Sequence, residues 1–324
     1  KMGFSLIAHN AVEADIIADN AIIGAGKFAE INFQPQHINW SAYTNDWNVG
    51  ASDTAWAGIL QTANLAKANG MEFFIGLDVL VGDEIETLPA GWTANFAYAP
   101  LRASFKNWAH RVAVELQPVY FVITMEDNEY FVGDHAADWT NYISLVNETI
   151  AIIKSVNPNI KVGPSVQYEQ LTGVAPGSTA HWAILNEYTD ADFIAITTYP
   201  QIAYATFSAI PSTYYSQIKS HTSLPVYVGE SGWSDSCTTY PTACTAAQQL
   251  SFLTFLLNEA EALTSEVFIW YFAADWSWGG YGEIFENMGL RDENFAVKSN
   301  WSKWLAYRAR SIIHGAKLYG AKIY

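Results

Sequence analysis

The sequence predicts a (β/α)8 barrel formed by residues 1–324 as one domain. Short apolar runs recur along the chain, and each is followed by a polar or aromatic loop and then a helix-like stretch. The runs are rich in β-branched and aromatic residues without strict alternation, which is typical of parallel strands buried on both faces. No Gly-rich fingerprint follows any run, which disfavours the alternative of a dinucleotide-binding sheet.

Eight of these runs are predicted as strands, the number that closes a barrel of this class. They are GFSLIAH (3–9), FAEINFQ (28–34), EFFIGLDVL (72–80), VYFVITME (119–126), IKVGPSVQ (160–167), FIAITTYP (193–200), PVYVGES (225–231) and EVFIWYF (266–272). Stretches before the third, fourth and fifth strands are predicted as helices, because apolar residues recur there at helical spacing. These are TAWAGILQTANLAKANG, FKNWAHRVAVELQP and WTNYISLVNETIAIIKSVNPN.

Composition and charge exclude two classes of partner. Hydrophobic residues make up 50% of the chain and aromatic residues 15%, including 13 Trp and 18 Tyr, which is more rings than a core needs. Trp and Tyr present flat apolar faces with a polar edge, which suits stacking on sugars. The net charge of -16 argues against nucleic acid and against an anionic membrane, since both require a basic face. A polysaccharide or oligosaccharide is therefore the expected partner, and the chain is expected to act as a monomer.

The two cysteines indicate the compartment. Cys237 and Cys244 lie seven residues apart in a Ser/Thr/Pro-rich loop, where a bridge between them would close a small ring. Such a bridge forms in an oxidising compartment, so a secreted or extracellular protein is expected, with any signal segment already removed.

Two acids follow apolar strands at the positions where a barrel builds its active site. The fourth strand ends at Glu126 and the seventh at Glu230, and in a (β/α)8 barrel all strands end at the same face. A carboxylate at the end of an apolar strand loses hydration, which is costly unless the group has a partner or a use. Two carboxyl groups across a sugar-sized cleft meet the requirement for cleaving a glycosidic bond. The alternative is a structural acid that pairs with an arginine or caps the next helix.

The C-terminal half of the chain resembles the clan A glycoside hydrolases. The likeness lies in LPVYVGESGWSD, EVFIWYFAADWSWGG and MGLRDENFAVKSNW, and the Glu-Ser-Gly-Trp turn is most similar to the nucleophile turn of the family 17 β-1,3-glucanases. VYFVITMEDNEYF, IKVGPSVQYEQL and ITTYPQ resemble the central strands of the clan, including its galactanase-like members. The resemblance covers roughly residues 118–305 and implies a retaining hydrolase.

The resemblance assigns roles to two positions, and this chain departs from the clan at two others. It makes Glu230 the nucleophile on the seventh strand and Tyr199 the residue of the sixth strand that steadies the nucleophile. The clan shows Asn-Glu at its acid/base, whereas Met125 precedes Glu126 here. Members of the clan also hold an arginine at the end of the second strand, where this chain offers Gln34 or Gln36.

Two glutamates remain candidates for the acid/base. Glu129 follows Asn128 and so matches the dipeptide, but it lies beyond the expected end of the strand. Strand length favours Glu126, with Asn128 reaching back toward the sugar 2-hydroxyl.

The remaining expectations concern the cleft. The residues expected to bind substrate are Asn128, Glu129, Gln167, Tyr199, Trp233, Trp270 and Trp276, and further rings expected along the cleft are Trp40, Trp47 and Trp278. The seven histidines show neither HxH nor HExxH spacing, so neither a catalytic metal nor a cofactor is expected.

The sequence therefore predicts a retaining endo-acting glycoside hydrolase that uses Glu126 and Glu230 on a β-linked polysaccharide, with β-1,3-glucan and β-galactan favoured. Retention implies carboxyl groups about 5–5.5 Å apart. Two alternatives stay open: a barrel that binds carbohydrate without cleaving it, and a transglycosylase with the same two glutamates.

Overall fold

The computed structural model describes residues 1–7, 26–33, 35–50, 53–133, 135–237, 244–276 and 282–318. The strands in these ranges are β1 Met2–Ser5, β2 Phe28–Phe33, β3 Glu72–Leu77, β4 Leu80–Val81, β5 Glu84–Ile85, β6 Tyr120–Val122, β7 Lys161–Gly163, β8 Ser165–Gln167, β9 Ile194–Thr198, β10 Val226–Ser231 and β11 Phe268–Trp270. Nine of them form one sheet in the order β7-β6-β3-β2-β1-β11-β10-β9-β8, with every neighbouring pair parallel. β4 and β5 form a separate antiparallel pair.

The sheet closes on itself around Pro164. β7 and β8 are two halves of one strand, separated only by this proline, which has no N–H to give to the ladder. β7 pairs with β6 and β8 pairs with β9, so the two ends of the sheet meet in this strand. Counted in this way the barrel has eight strands, and the predicted (β/α)8 class is confirmed.

Each predicted run overlaps an observed strand but differs from it in its bounds, and β1 begins one residue before its run. The largest difference is in the run 119–126, where β6 ends at Val122. The residues beyond it still belong to the barrel wall, because the Ile123 and Met125 N–H groups donate 3.0 Å hydrogen bonds to the carbonyls of Gly163 and Leu77. Glu126 therefore lies at the C-terminal face of the barrel, directly after Met125 in this part of the wall.

The α-helices are α1 Thr54–Ala68, α2 Ala99–Leu116, α3 Asn128–Val132, α4 Trp139–Val156, α5 Tyr168–Leu171, α6 Ala246–Ala262, α7 Glu283–Glu286 and α8 Trp301–Leu318. Short 3₁₀ turns occupy Pro35–His37, Ala42–Thr44, Trp182–Asn186, Pro200–Ile202, Phe207–Ala209 and Ser216–Ser220. The three predicted helices are α1, α2 and α4. α2 begins before its predicted start, because Pro100 is tolerated in the first turn, where an N–H has no intrahelical partner.

Aromatic rings fill the N-terminal end of the barrel. Phe28, Phe74, Tyr120, Phe193 and Tyr227 are buried together inside it. The larger apolar core lies outside, between the strands and the helices. Because rings close the lower end, the open space of the barrel lies at the C-terminal ends of the strands.

Gly76 is required by the packing at that end. A Cβ atom at this position would lie 2.4 Å from Sδ of Met125, so only glycine lets the Met125 side chain cover β3. Met125 immediately precedes Glu126, and the glycine therefore shapes the wall beside that acid.

The predicted disulfide is present. Cys237 and Cys244 are bonded, with their Cα atoms 5.2 Å apart, and residues 238–243 between them lie outside the described residues. None of the helices in the described ranges has the length and apolar character needed to cross a membrane.

Candidate active site

A cleft of about 410 Å³ opens at the C-terminal ends of the barrel strands. Its polar lining consists of Asn32, Asp78, Glu126, Glu129, Gln167, Gln170, Tyr199 and Glu230. No lysine or arginine is among the described residues that line it. The cleft is therefore strongly acidic, and it brings together the two glutamates that the sequence singled out.

A bulge in β10 directs Glu230 toward the cleft. The pairing of β10 with β9 shifts between Val228 and Glu230, so that Glu230 stands opposite Thr197. A bulge of this kind adds one residue to a strand and re-aims the side chain after it. The extra space needed inside the barrel comes from Gly229, where a Cβ atom would lie 3.1 Å from the ring of Phe74.

Tyr199 holds the carboxyl group of Glu230. Its hydroxyl donates a 2.8 Å hydrogen bond to Glu230 Oε2, and its own backbone N–H donates a 3.0 Å bond to the buried Glu169. Burial raises the pKa of Glu230, and the neighbouring charges of Glu30 and Glu126 raise it further, while the bond from Tyr199 lowers it. The clan resemblance predicts that Tyr199 steadies the nucleophile; the structure places its hydroxyl on Glu230, and the role of Glu230 as nucleophile stays a prediction.

Glu126 has an unusual backbone conformation. Its φ of 50° lies in the left-handed region, which costs a residue with a side chain of the order of 1–3 kcal/mol. The turn points its carboxyl group into the cleft, where Thr197 Oγ1 donates a hydrogen bond to Oε1. Burial raises the pKa of Glu126 to about 8, helped by the charges of Glu129 and Glu169 and opposed by the bond from Thr197.

Glu129 also faces the cleft. It lies in α3, one turn beyond Glu126, and its Oε1 accepts a 2.8 Å hydrogen bond from Gln170 Nε2. Burial raises its pKa to about 7, and the charges of Asp78 and Asp83 contribute. Both candidates for the acid/base therefore reach the same space.

Asn128 does not reach the cleft, contrary to the expectation that it contacts the sugar. It is fully buried, its Oδ1 accepts the Gln167 N–H at 2.7 Å, and its Nδ2 donates to the Gln167 carbonyl at 3.1 Å. The amide thus ties α3 to the end of β8. Gln167 itself lines the cleft, and its side chain bonds to Glu169 at 2.8 Å and to the Gln170 N–H at 2.6 Å.

The expectation that Trp233 and Trp270 form sugar platforms is wrong. Both are fully buried on the outer side of the barrel wall, packed against Phe252 of α6 with ring centroids 5.3 and 6.1 Å apart. Neighbouring residues of a strand face opposite sides, so a ring next to the cleft in sequence can belong to the outer core.

The other predicted rings lie in several environments. Trp40 is buried in the outer core, Trp47 packs against His110 at 4.9 Å, and Trp276 is partly exposed and packs against Phe272 at 5.5 Å. Trp278 lies outside the described residues.

Among the described residues, the rings that line the cleft are Tyr199, Tyr271 and Phe285, and the last two were not predicted. Alternation could have found Tyr271, because it directly follows Trp270 and so faces the opposite side of the wall.

The second strand carries one acid and one amide, and no arginine lies in β2. Gln36 is exposed and lines a different pocket, together with Trp40 and Asp53, and Gln34 lies outside the described residues. The β2 side chains on the interior face are Phe28 of the ring cluster, Glu30, which is fully buried, and Asn32, which lines the cleft. The strand therefore offers the cleft no positive charge.

One group near the rim has the composition of a metal site. Oxygen atoms of Asp83 and Glu84 and a ring nitrogen of His135 lie within 4.8 Å of one another. His135 Nε2 is 3.6 Å from Glu84 Oε1, longer than a hydrogen bond. The group is separate from Glu126 and Glu230.

A parallel barrel with two glutamates at its C-terminal face is the architecture of a glycoside hydrolase. Residues 34–304 match the model of glycosyl hydrolase family 53. The chain therefore belongs to this family and is a glycoside hydrolase of clan A. The match is to family 53, although the Glu-Ser-Gly-Trp turn suggested family 17. No curated protein matches the sequence.

Solved structures agree on the fold at low identity. The exo-β-1,4-mannosidase Op5Man5 of Opitutaceae bacterium strain TAV5 has a TM-score of 0.71 and 13% identity over 94% of this chain, and this chain spans 57% of the mannosidase. A GH5_18 protein of Streptomyces cattleya in complex with Manβ1-4GlcNAc has a TM-score of 0.67 and 14% identity, covering 100% of this chain and 82% of its own. A fungal β-1,4-galactanase has a TM-score of 0.61 and 17% identity over 90% of both chains.

Proposed function

We propose that the chain is a retaining, endo-acting hydrolase of a β-linked galactan, with Glu230 as the nucleophile and Glu126 as the general acid and base. The observation that carries the proposal is that the two carboxyl groups share one cleft but have different partners. Glu230 accepts a hydrogen bond from the phenol of Tyr199, and Glu126 accepts one from the hydroxyl of Thr197. Different environments are what allow one carboxyl group to stay ionised while the other keeps its proton.

Glu126 is suited to give a proton to the leaving oxygen. Burial raises its pKa to about 8, so it is protonated at neutral pH, as a general acid must be. After the bond breaks, the same group is a carboxylate and can take a proton from water in the second step.

Glu230 is suited to attack the anomeric carbon. The acids of the cleft repel one another, so together they keep protons that isolated carboxyl groups would lose at neutral pH. Within that group Glu230 accepts the hydrogen bond from Tyr199, which stabilises its anion. Attack would form a glycosyl ester on Glu230, and water would then release the sugar with its original anomeric configuration.

Two comparisons support galactan as the substrate. The chain belongs to family 53, and the fungal structures of similar fold are described as β-1,4-galactanases. The cleft is open and carries the rings of Tyr199, Tyr271 and Phe285, which offer faces for stacking on sugars. We therefore take β-1,4-galactan as the first substrate to test.

The test is reducing-sugar release from β-1,4-galactan, β-1,3-glucan, xylan and mannan by the wild type and by Glu230→Gln, Glu126→Gln and Glu129→Gln. We expect galactan to be cut and the first two variants to lose at least ~10³-fold in rate. Glu129→Gln is the matched control, because Glu129 lies in the same cleft and differs from Glu126 in its place on α3. If Glu129→Gln abolishes the activity and Glu126→Gln does not, the assignment of the acid/base is reversed.

A barrel that binds carbohydrate without cleaving it is the second candidate. Two departures from the clan favour it: Met125 stands in place of an asparagine, and β2 carries Glu30 and no arginine. A folded wild type that binds one of the four glycans and cuts none would establish this candidate. Product analysis separates hydrolysis from transglycosylation, since a transglycosylase makes longer oligosaccharides from shorter ones.

A further inference from the structure

Glu30 is an acid inside the barrel, in the middle of β2. Side chains two residues apart on a strand share a face, so Glu30 lies on the same face as Phe28 and Asn32. Phe28 belongs to the ring cluster inside the barrel, and Asn32 lines the cleft. Glu30 therefore occupies the layer between the apolar interior and the cleft, and it is completely buried.

The hydrogen bonds of Glu30 are few. Ser5, its register partner on β1, donates from Oγ to Glu30 Oε2. Oε1 is buried and has no hydrogen-bond partner among the residues that the structure describes. An ionised carboxylate is strongly disfavoured when one of its buried oxygens accepts no hydrogen bond. A protonated carboxyl group carries no charge and has fewer acceptor sites to satisfy, so its burial costs less free energy.

Among the described residues, the charges that act on Glu30 are negative. Asp78 at the end of β3 and Glu126 beyond β6 act on Glu30, and Glu30 is in turn the charge that acts most strongly on Glu230 of β10. No lysine, arginine or histidine of the described residues forms an ion pair with Glu30 or Glu230. Burial raises the pKa of Glu30 to about 8, in agreement with this environment.

We propose that Glu30 keeps its proton in the active enzyme, and that Glu230 is therefore the ionised member of these two buried acids. The inference rests on the proposed function, in which Glu230 is the nucleophile. Two buried carboxyl groups without a cation between them hold one proton in common. Glu230 accepts a hydrogen bond from the phenol of Tyr199 and faces the cleft, whereas in the described part of the chain Glu30 accepts one only from Ser5, so the anion is better stabilised on Glu230.

The variant Glu30→Gln tests this proposal, because glutamine imitates the neutral carboxyl group. We expect kcat/KM at the pH optimum to stay within about 3-fold of the wild type and the acidic limb of its pH profile to move by less than about 0.3 pH units, since the charge felt by Glu230 is unchanged. If Glu30 is instead the ionised member, the substitution removes a negative charge near Glu230 and therefore lowers the pKa of Glu230. A shift of the acidic limb by about one unit or more toward low pH therefore overturns the proposal. The exposed Glu86→Gln serves as the control.

Stability supplies a readout that does not require activity. The pKa of Glu30 is higher in the folded state than in an unfolded chain. Glu30 therefore stabilises the fold at low pH, and this contribution to the free energy of unfolding is lost as pH rises through about 8. We expect Glu30→Gln to melt at the same temperature as the wild type at pH 5 and at a higher temperature at pH 9. A lower melting temperature of the variant at pH 9 would show that Glu30 is ionised and compensated, and the proposal would fail.

The two proposals fail in different ways. If Glu230→Gln keeps full activity, the proposed function is wrong, whatever Glu30 does. If Glu230→Gln is inactive and Glu30→Gln moves the acidic limb, only the role of Glu30 is wrong. Should Glu30→Gln fail to fold, Glu30→Met, which is neutral and of similar length, gives the same two readouts.

Discussion

The hydroxyl of Tyr199 donates a 2.8 Å hydrogen bond to Oε2 of Glu230, and the backbone N–H of the same tyrosine is held by Glu169 at 3.0 Å. Glu169 is fully buried and also accepts hydrogen bonds from Thr198 at 2.7 Å and Tyr214 at 3.0 Å. The orientation of the phenol is thus fixed from behind by a network of buried polar groups. Such support is what allows a single donor to control the charge of a neighbouring carboxyl group.

Removing that donor should impair Glu230. We expect Tyr199→Phe to lower kcat/KM by about 10- to 100-fold, the range expected for one hydrogen bond to a charged group. The bond lowers the pKa of Glu230, so its loss raises that pKa and should move the acidic limb of the pH profile to higher pH. Tyr307→Phe is the matched control, because that hydroxyl bonds to the Leu257 carbonyl, away from the cleft. An acidic limb that stays in place would contradict the role of Tyr199.

The folded protein should be more stable in acid than in mild base. Burial raises the pKa values of Glu30 and Glu126 to about 8 and those of Asp127, Glu129 and Asp275 to about 7. Acids with raised pKa values contribute stability that is complete below about pH 4 and is lost as pH rises through their folded values. We expect the melting temperature by calorimetry to fall between pH 5 and pH 9. A melting temperature that rises over this range would refute the buried protons.

A side chain at position 76 should destabilise the protein unless Met125 is shortened, because the two would overlap. Gly76→Ala places a methyl group against Sδ of Met125, and overpacking of this kind costs about 1–3 kcal/mol of unfolding free energy. Because Met125 precedes Glu126, activity should fall as well. The double variant Gly76→Ala/Met125→Ala should recover part of both losses. Equal stability of Gly76→Ala and the wild type in urea unfolding would contradict this packing.

Asn128 should matter for stability and not for substrate binding. Asn128→Ala leaves the buried backbone groups of Gln167 without partners, at a cost of about 1–3 kcal/mol. We expect a lower midpoint of urea unfolding. We also expect a KM for galactan within about 2-fold of the wild type, because Asn128 does not line the cleft and its loss removes no contact with the substrate. A large rise in KM with unchanged stability would restore the sugar contact that the sequence suggested.

The sequence was sufficient to predict the barrel and the place of Glu126 and Glu230 in one cleft, for physical reasons, while their catalytic roles stay a prediction. Eight apolar runs that alternate with helix-like stretches favour a closed barrel over an open sheet. An acid at the end of such a run, as Glu126 and Glu230 are, is easy to recognise. The face of each residue was harder to predict. Trp233 and Trp270 point outward into the core under α6, and the bulge that turns Glu230 inward depends on pairing between β9 and β10 that no local pattern encodes.

Glu30 was missed although its signal resembled that of Glu230. In FAEINFQ the acid lies within the apolar run, so the pattern indicates a strand and does not set the carboxyl group apart. The cost of burying a carboxyl group applies equally in the middle of a strand and at its end. Its significance became visible only when the barrel brought β2 and β10 around the same space.

The central claim is that Glu230 is the nucleophile of a retaining hydrolase, and covalent trapping tests it most directly. The protein is incubated with a 2-deoxy-2-fluoro-β-galactobioside that carries a good leaving group, digested, and mapped by mass spectrometry. Our account predicts one added galactobiosyl group on the peptide that contains Glu230, and none in Glu230→Gln. A label on another carboxyl group, or an enzyme that cuts galactan rapidly and is never labelled, would contradict it.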